Sequence, residues 1–190
     1  MKVLGICCTP RVRGNTEVLL QESLATAEEA GAEVELVTMA RKNIISCDGC
    51  NTCSKTQKCH IEDDLLDIYP KLLEADGMIL GTPLYFSYIS TQAKAVIDRT
   101  YALYFGAQLK DKVGGVVITA EGRKGEGAIA EFSSFVRIHK MVMAGHALGS
   151  SGHEGYKNKK AILKDENAVA EARALGKAVV EHIHSPKTSS

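Results

Sequence analysis

The chain has 190 residues, enough for one domain with a substantial core. Lys+Arg and Asp+Glu both total 23, so the formal net charge is zero and the long-range field that attracts nucleic acid or an anionic membrane is missing. No stretch approaches the ~18 apolar residues of a membrane span, and Met1-Lys2-Val3-Leu4-Gly5-Ile6 runs into a strand pattern without a cleavage-type signal, so the expected location is the cytoplasm.

Val3–Cys8 is a short apolar run closed by Thr9-Pro10 and predicts a buried strand. Asn15–Ala30 carries Leu20, Leu24 and Ala27 at helical spacing and stops at Gly31, which predicts a helix. Glu33–Met39 alternates polar and apolar residues, as a half-exposed strand does. Ala40–Ile61 has no periodicity. Asp63-Asp64 can open a helix with Leu65, Tyr69, Leu72 and Leu73 on its apolar side, kinked or split by Pro70. The two acids read as helix-start charges, not as a catalytic pair.

Gly77–Thr82 predicts the third strand. Ser90–Tyr104 predicts a helix with Ala93, Val96, Ile97, Thr100 and Tyr104 on one face and Asp98-Arg99 as a structural ion pair. Val113–Thr119 predicts the fourth strand, Gly122–Gly127 a glycine-rich loop, Ala128–Lys140 a helix and Met141–Leu148 the fifth strand. Asp165 can cap a last helix whose buried stripe is Val169, Ala172, Leu175, Val179 and Ile183. The domain is expected to span 1–184, with a cysteine-rich loop at 43–61 and a flexible tail at 185–190.

Strands alternating with helices predict an α/β fold with a parallel sheet covered on both faces. Such sheets place ligands beyond the carboxyl ends of their strands, near the topological switch point. The segments after the strands therefore carry the functional reading.

After the first strand comes Cys8-Thr9-Pro10-Arg11-Val12-Arg13-Gly14-Asn15-Thr16, leading into a helix. A helix start offers unpaired N–H groups and a positive dipole end, which favour an anion. Thr9, Asn15 and Thr16 can donate further hydrogen bonds, Arg11 can pair with a phosphate, and Gly14 eases a tight turn. The plainer alternative is an ordinary helix cap with solvated arginines. After the third strand, Thr82-Pro83-Leu84-Tyr85-Phe86-Ser87-Tyr88 places three aromatic residues beside a helix start, which suits a flat ring such as an isoalloxazine. A hydrophobic loop or an oligomer contact is the alternative. After the fourth strand, Thr119-Ala120-Glu121-Gly122-Arg123-Lys124-Gly125-Glu126-Gly127 permits close backbone approach, or forms a mobile loop.

Together these segments resemble the flavodoxin-like, NADPH-dependent FMN reductase superfamily. Thr9 to Thr16 resembles its Ser/Thr-Pro-Arg-x-x-Gly-Asn-Thr phosphate loop, Thr82-Pro83-Leu84-Tyr85-Phe86 its flavin loop, and Gln92 to Arg99 the helix that follows. Cys8 departs from the small residue usual before the Ser/Thr. Cys7 and Cys8 otherwise read as buried strand residues. The resemblance implies a doubly wound, five-stranded parallel sheet of order 2-1-3-4-5 and FMN as cofactor. It places the phosphate on Thr9, Arg11, Asn15 and Thr16 around Gly14. It places the ring on Pro83, Leu84, Tyr85, Phe86 and Ser87 after Thr82, with help from Thr119, Glu121 and Gly122.

The second motif is Cys47-x2-Cys50-x2-Cys53-x5-Cys59. In a reducing compartment clustered cysteines point to metal or redox chemistry before disulfides. Zinc sites usually use two separated C-x2-C pairs, whereas three cysteines at steps of three match the bacterial ferredoxin run that grips a [4Fe–4S] cube. The spacing favours a [4Fe–4S] cluster, with an empty, oxidised or disulfide state and zinc as alternatives. His60 is an alternative ligand or a solvated histidine. His139, His146, His153, His182 and His184 show no ligand spacing. A cysteine run after such a phosphate loop resembles the iron–sulfur flavoprotein branch. That resemblance implies a homodimer or homotetramer exchanging electrons between cluster and FMN of neighbouring subunits.

The expected function is FMN-dependent electron transfer between a reduced donor and an acceptor, each a small molecule or a ferredoxin-like protein. The alternative is an NAD(P)H-dependent FMN or quinone reductase without a working cluster. A zinc-stabilised, non-catalytic module is the third reading.

Overall fold

Val3, Leu4, Ile6 and Cys7 have no exposed surface. An uninterrupted apolar run of this kind forms a strand buried on both faces, the position of a central strand in a parallel sheet. The computed structural model describes residues 1–185. Apart from Ser185, the expected tail lies outside the described residues.

In chain order the elements are β1 (Lys2–Cys7), α1 (Asn15–Glu29), β2 (Glu33–Thr38), α2 (Cys53–Thr56), α3 (Tyr69–Glu74), β3 (Gly77–Tyr85), β4 (Tyr88–Ile89), α4 (Thr91–Arg99), α5 (Tyr101–Tyr104), β5 (Val113–Ala120), α6 (Glu126–Ile138), β6 (Val142–Ser150) and α7 (Glu166–His184), with single-turn 3-10 segments at His153–Tyr156 and Ala161–Lys164 before α7. The long strands are parallel in the order β2-β1-β3-β5-β6. This is the expected doubly wound order, with the switch point between β1 and β3. The short β4 is an addition. It pairs antiparallel with the end of β3, through Leu84↔Ile89 and Tyr85↔Tyr88.

Alternate residues of each strand serve opposite faces. Leu4, Ile6, Leu80, Val116 and Ile118 pack under α3, α4 and α6, with Leu72, Val96 and Phe132. Val3, Ile79 and Val117 pack under α1 and α7, with Leu20, Leu24, Leu175 and Val179. No helix of the described residues is long and apolar enough to cross a membrane.

Three local expectations are corrected. Asp63-Asp64 do not open a helix. Turns fill residues 63–68, and α3 starts at Tyr69 with Pro70 in its first turn, where a missing N–H costs nothing. The expected helix at 90–104 is two helices, because Ser90 is the cap of α4 and Thr100 separates α4 from α5. The Thr100 hydroxyl donates to the Ile97 carbonyl at 2.6 Å, competing with the helical ladder. Asp98 and Arg99 do not pair with each other, since neighbouring side chains on a helix point apart. Asp98 pairs with Lys94 and Arg99 with Asp63. The cap of α7 is as expected, with Asp165 accepting the Ala168 N–H at 3.1 Å.

α1 and α7 touch so closely that a Cβ on Gly176 would lie 2.0 Å from the Ser23 carbonyl oxygen. Thr26 adds a hydrogen bond from its hydroxyl to the Arg173 carbonyl at 2.9 Å. Gly176→Ala is therefore expected to lower stability by ~1–3 kcal/mol through overpacking. A circular-dichroism melt reads this as a lower Tm, and an unchanged Tm would show that the two helices separate freely.

Candidate functional site

Because β1, β3, β5 and β6 are parallel, their carboxyl ends share one rim. The segments beyond them enclose a cavity of about 140 Å³. The first contributes Thr9, Arg11, Asn15 and Thr16, the second Pro83, Leu84 and Tyr85, and the third Thr119, Ala120 and Glu121. Three loops separated by up to a hundred residues thus meet where the topology sends them.

The fourth wall was not anticipated. Ser151, Gly152, Gly155 and Tyr156, beyond β6, also line this cavity. The signal was available in principle: a fifth parallel strand must end on the same rim, and Ser150-Ser151-Gly152 is a turn sequence. Arg11 reaches this wall. Its Nη1 donates to the Gly155 carbonyl at 3.0 Å, and its guanidinium carbon lies 5.6 Å from the centre of the Tyr156 ring. The Asn15 side chain is wholly engaged by the same segment. Its Nδ2 donates to the carbonyls of Gly155 and Asn158, both at 3.2 Å, and its Oδ1 accepts the Ile162 N–H at 3.0 Å. Thr16 and Thr119 share a 2.6 Å hydroxyl hydrogen bond across the cavity floor.

The other singled-out residues lie around this cavity without lining it. Gly14 flanks the start of α1 with an ordinary negative φ, and the left-handed residue of the turn is Arg13, at φ 53°. A Cβ at Gly14 would sit 3.1 Å from the Arg11 Cβ, so glycine serves the packing of the turn. Thr82 is buried at the switch point. Its hydroxyl donates to the Pro83 carbonyl at 3.0 Å and accepts the Ser90 N–H at 3.0 Å, while the Ser90 hydroxyl donates to the Cys8 carbonyl at 2.6 Å. Phe86 and Ser87 form the tip of the β3–β4 hairpin with positive φ, and Phe86 is 97 % exposed. Gly122 lies past the cavity edge. Burial pushes the Cys7 thiol up to about 12 and that of Cys8 well above its usual value, so both stay protonated.

Cys47, Cys50, Cys53 and Cys59 all line a second cavity, of about 340 Å³, with Asp48, His60 and Arg99. The four are free thiols. Positive φ at Gly49, Asn51 and Gln57 turns the chain between them, and α2 supplies one helical turn from Cys53. A tetrahedral zinc with Zn–S bonds of about 2.3 Å would draw its sulfurs to about 3.8 Å from one another. Among the described residues the group of three ligand atoms within 4.8 Å of one another is Asp48, Cys50 and His60, and no trio of the cysteine sulfurs. Four thiols lining one cavity are a donor set that fits an iron–sulfur cluster.

Arg99 holds this loop. Its side chain has no exposed surface. Nη1 donates to Asp63 Oδ2 and to the Ile45 carbonyl, both at 2.8 Å, and Nη2 donates to Asp63 Oδ1 at 3.2 Å and the Ile61 carbonyl at 3.3 Å. Ile45 precedes Cys47 and Ile61 follows Cys59, so one guanidinium ties both ends of the cysteine loop. Asp63 completes the clamp by accepting the N–H groups of Ile45 at 2.7 Å and Leu65 at 3.0 Å. Burial alone would raise the Asp63 carboxyl. The Arg99 guanidinium and those N–H groups outweigh it and hold the group below its usual range.

Removing one partner of such a pair strands a buried charge. Arg99→Met is expected to cost about 3–5 kcal/mol, and to open residues 45–61 to protease before the rest of the chain. A depressed carboxylate stabilises the native state above its unfolded pKa, and that contribution is lost as pH falls through the folded value. Protease resistance of the loop should therefore persist to below about pH 4 in the wild type. Loss of resistance near neutrality would show that Asp63 is not the controlling group.

Residues 1–154 match the family model of NADPH-dependent FMN reductase. An iron–sulfur flavoprotein of Methanocaldococcus jannaschii is 40 % identical over 186 residues, covering 95 % of this chain and 96 % of the relative. One of Methanosarcina thermophila is 33 % identical over 148 residues, covering 76 % and 78 %. The solved structure of RosB with a bound 8-demethyl-8-formylriboflavin-5′-phosphate intermediate superposes with a TM-score of 0.76 at 17 % identity, over 96 % of this chain and 79 % of that one. An archaeal flavodoxin superposes at 0.56 with 13 % identity, over 97 % and 100 %. The chain thus has the flavodoxin-like fold and belongs to the NADPH-dependent FMN reductase family of oxidoreductases, in its iron–sulfur flavoprotein branch.

Proposed function

We propose that this oxidoreductase binds FMN in the rim cavity, holds a [4Fe–4S] cluster in the cysteine cavity, and passes electrons between a reduced donor and an acceptor. The observation that carries the reading is the set of four free thiols lining one cavity. FMN supplies two-electron and one-electron chemistry, and a cluster supplies one-electron chemistry.

The chain's part is to bind and orient. The start of α1, with Thr9, Thr16 and Arg11, would take the phosphate. Among the described residues Arg11 forms no salt bridge, so its charge is not already neutralised by a carboxylate. Asn15 holds the 155–162 wall in place. Pro83, Leu84 and Tyr85 on one side and Thr119 and Glu121 on the other would flank the ring. Cys47, Cys50, Cys53 and Cys59 would ligate the cluster. No dedicated acid or base is needed.

The proposed assembly is a homodimer or homotetramer in the cytoplasm. Exposed aromatic residues support it, with Tyr85 lining the rim cavity and Phe86 and Tyr88 following it in the chain, and with Tyr101 lining the cysteine cavity and packed against Tyr104 and Phe105. A second reading, an NAD(P)H-dependent FMN or quinone reductase without a cluster, draws on the family model that covers the rim loops.

Anaerobic purification followed by FMN, iron and acid-labile sulfide assays tests these readings. Stoichiometric FMN with about four irons and four sulfides is expected per chain. Serine at 47, 50, 53 or 59 should remove iron and keep FMN. FMN without iron or sulfide after reconstitution would leave the second reading. Arg11→Ala removes a charge-assisted contact of ~1.5–3 kcal/mol, so FMN affinity should fall about ten- to a hundredfold by fluorescence titration.

A further inference from the structure

Within the lining of the cysteine cavity, one of the four thiols, Cys50, also belongs to a second ligand set that adds a carboxylate and an imidazole. Asp48, Cys50 and His60 each present one ligand-type atom, all within 4.8 Å of one another, and all three side chains are exposed. His60 Nε2 lies 2.8 Å from Asp48 Oδ2, while the other carboxylate oxygen accepts the Cys50 backbone N–H at 3.1 Å. That backbone bond fixes the carboxylate on the loop and leaves one oxygen for the imidazole.

Imidazole nitrogen, thiolate sulfur and carboxylate oxygen are the donors of borderline divalent cations such as zinc. Bonds of about 2.0–2.3 Å in a tetrahedron place ligand atoms about 3.3–3.8 Å apart, so the 2.8 Å His60–Asp48 pair opens by about 0.5 Å and the Cys50 sulfur, within 4.8 Å of both, closes by at most about 1 Å. An ion between Nε2 and Oδ2 takes the place of the proton the two now share. Three protein donors leave a fourth position for water.

We propose that the cluster-free protein binds one zinc-type divalent ion on Asp48, Cys50 and His60. On binding, the Cys50 thiol gives its proton to solvent, the proton between His60 Nε2 and Asp48 Oδ2 leaves to solvent or is regained from it at Nδ1, and sulfur–, nitrogen– and oxygen–metal bonds form with no change of oxidation state. Cys50 is also one of the four thiols assigned to the cluster. Ion and cluster therefore exclude each other, a clause that rests on the proposed cluster, whereas the ion site does not. The site is a point of competition during cluster assembly, where a zinc ion withholds one of the four ligands.

Cobalt(II) is the probe. Full-length, reduced, cluster-free protein is titrated anaerobically and followed by visible absorption. One equivalent should bind, with tetrahedral ligand-field bands and the sulfur-to-cobalt intensity of a single thiolate, and zinc should displace it. His60→Ala, Asp48→Ala and Cys50→Ser should each lose the signal. Cys53→Ser and Cys59→Ser should keep it. All variants are first matched to wild type by circular dichroism, and the exposure of His60 and Asp48 makes unfolding an unneeded explanation for their loss. No binding by the wild type would overturn the site. So would the intensity of three or four thiolates, or survival in His60→Ala with loss in Cys53→Ser, because the ion would then lie among the four cysteines. Protein loaded with cluster should take up no cobalt, and uptake with the cluster intact would remove the competition. Iron and sulfide contents report separately on whether a cluster forms.

Discussion

The buried Arg99–Asp63 pair is the constraint on which the functional half of the molecule depends. A loop with four cysteines and no periodicity has no core of its own, and its conformational entropy would scatter the thiols. The guanidinium removes that freedom at two points only, by gripping the carbonyls on either side of the loop. Two charges out of water are costly unless their geometry is good and their remaining hydrogen-bonding capacity is used. Here the carboxylate accepts two N–H groups besides the guanidinium, and only Arg99 Nε is left without a partner.

The same helix that presents Arg99 also anchors the other cavity. At the start of α4, Ser90 caps the helix and ties the end of β1, through the Cys8 carbonyl, to Thr82 at the end of β3. At its far end Arg99 holds the cysteine loop. A nine-residue helix spans about 13 Å, so the two cavities are joined by one stiff rod. Thr82 and Ser90 line no part of the rim cavity, yet they set the relation between it and the loop.

How far the molecule was legible from its sequence follows from the range of each interaction. The apolar runs at β1, β3 and β5 and the stripe of α7 are local patterns, and they located the elements and the shared rim. Phosphate-loop and cysteine motifs are contiguous and so legible as groups, with Thr9, Arg11, Asn15 and Thr16 lining one cavity and the four cysteines another. Asp63 reads locally as a helix start because its partner lies 36 residues away, and no local signal connects the two. Asn15 reads as a phosphate donor, and its hold on the 155–162 segment, 140–147 residues away, has no local signal. The two-residue strand β4 has no glycine or asparagine at its turn, since Phe86 and Ser87 carry the positive φ instead.

The clamp and the rod differ in what changes of length they tolerate. One residue inserted in α4 would turn Arg99 by about 100° around the axis and carry it away from Asp63. Arg99 grips the loop at Ile45 and Ile61, so residues added between Cys53 and Cys59 would lengthen an arc whose ends stay fixed. Across related chains, variation in length should gather in the cysteine spacing and spare the helix, leaving α4 as the ruler against which the loop drifts.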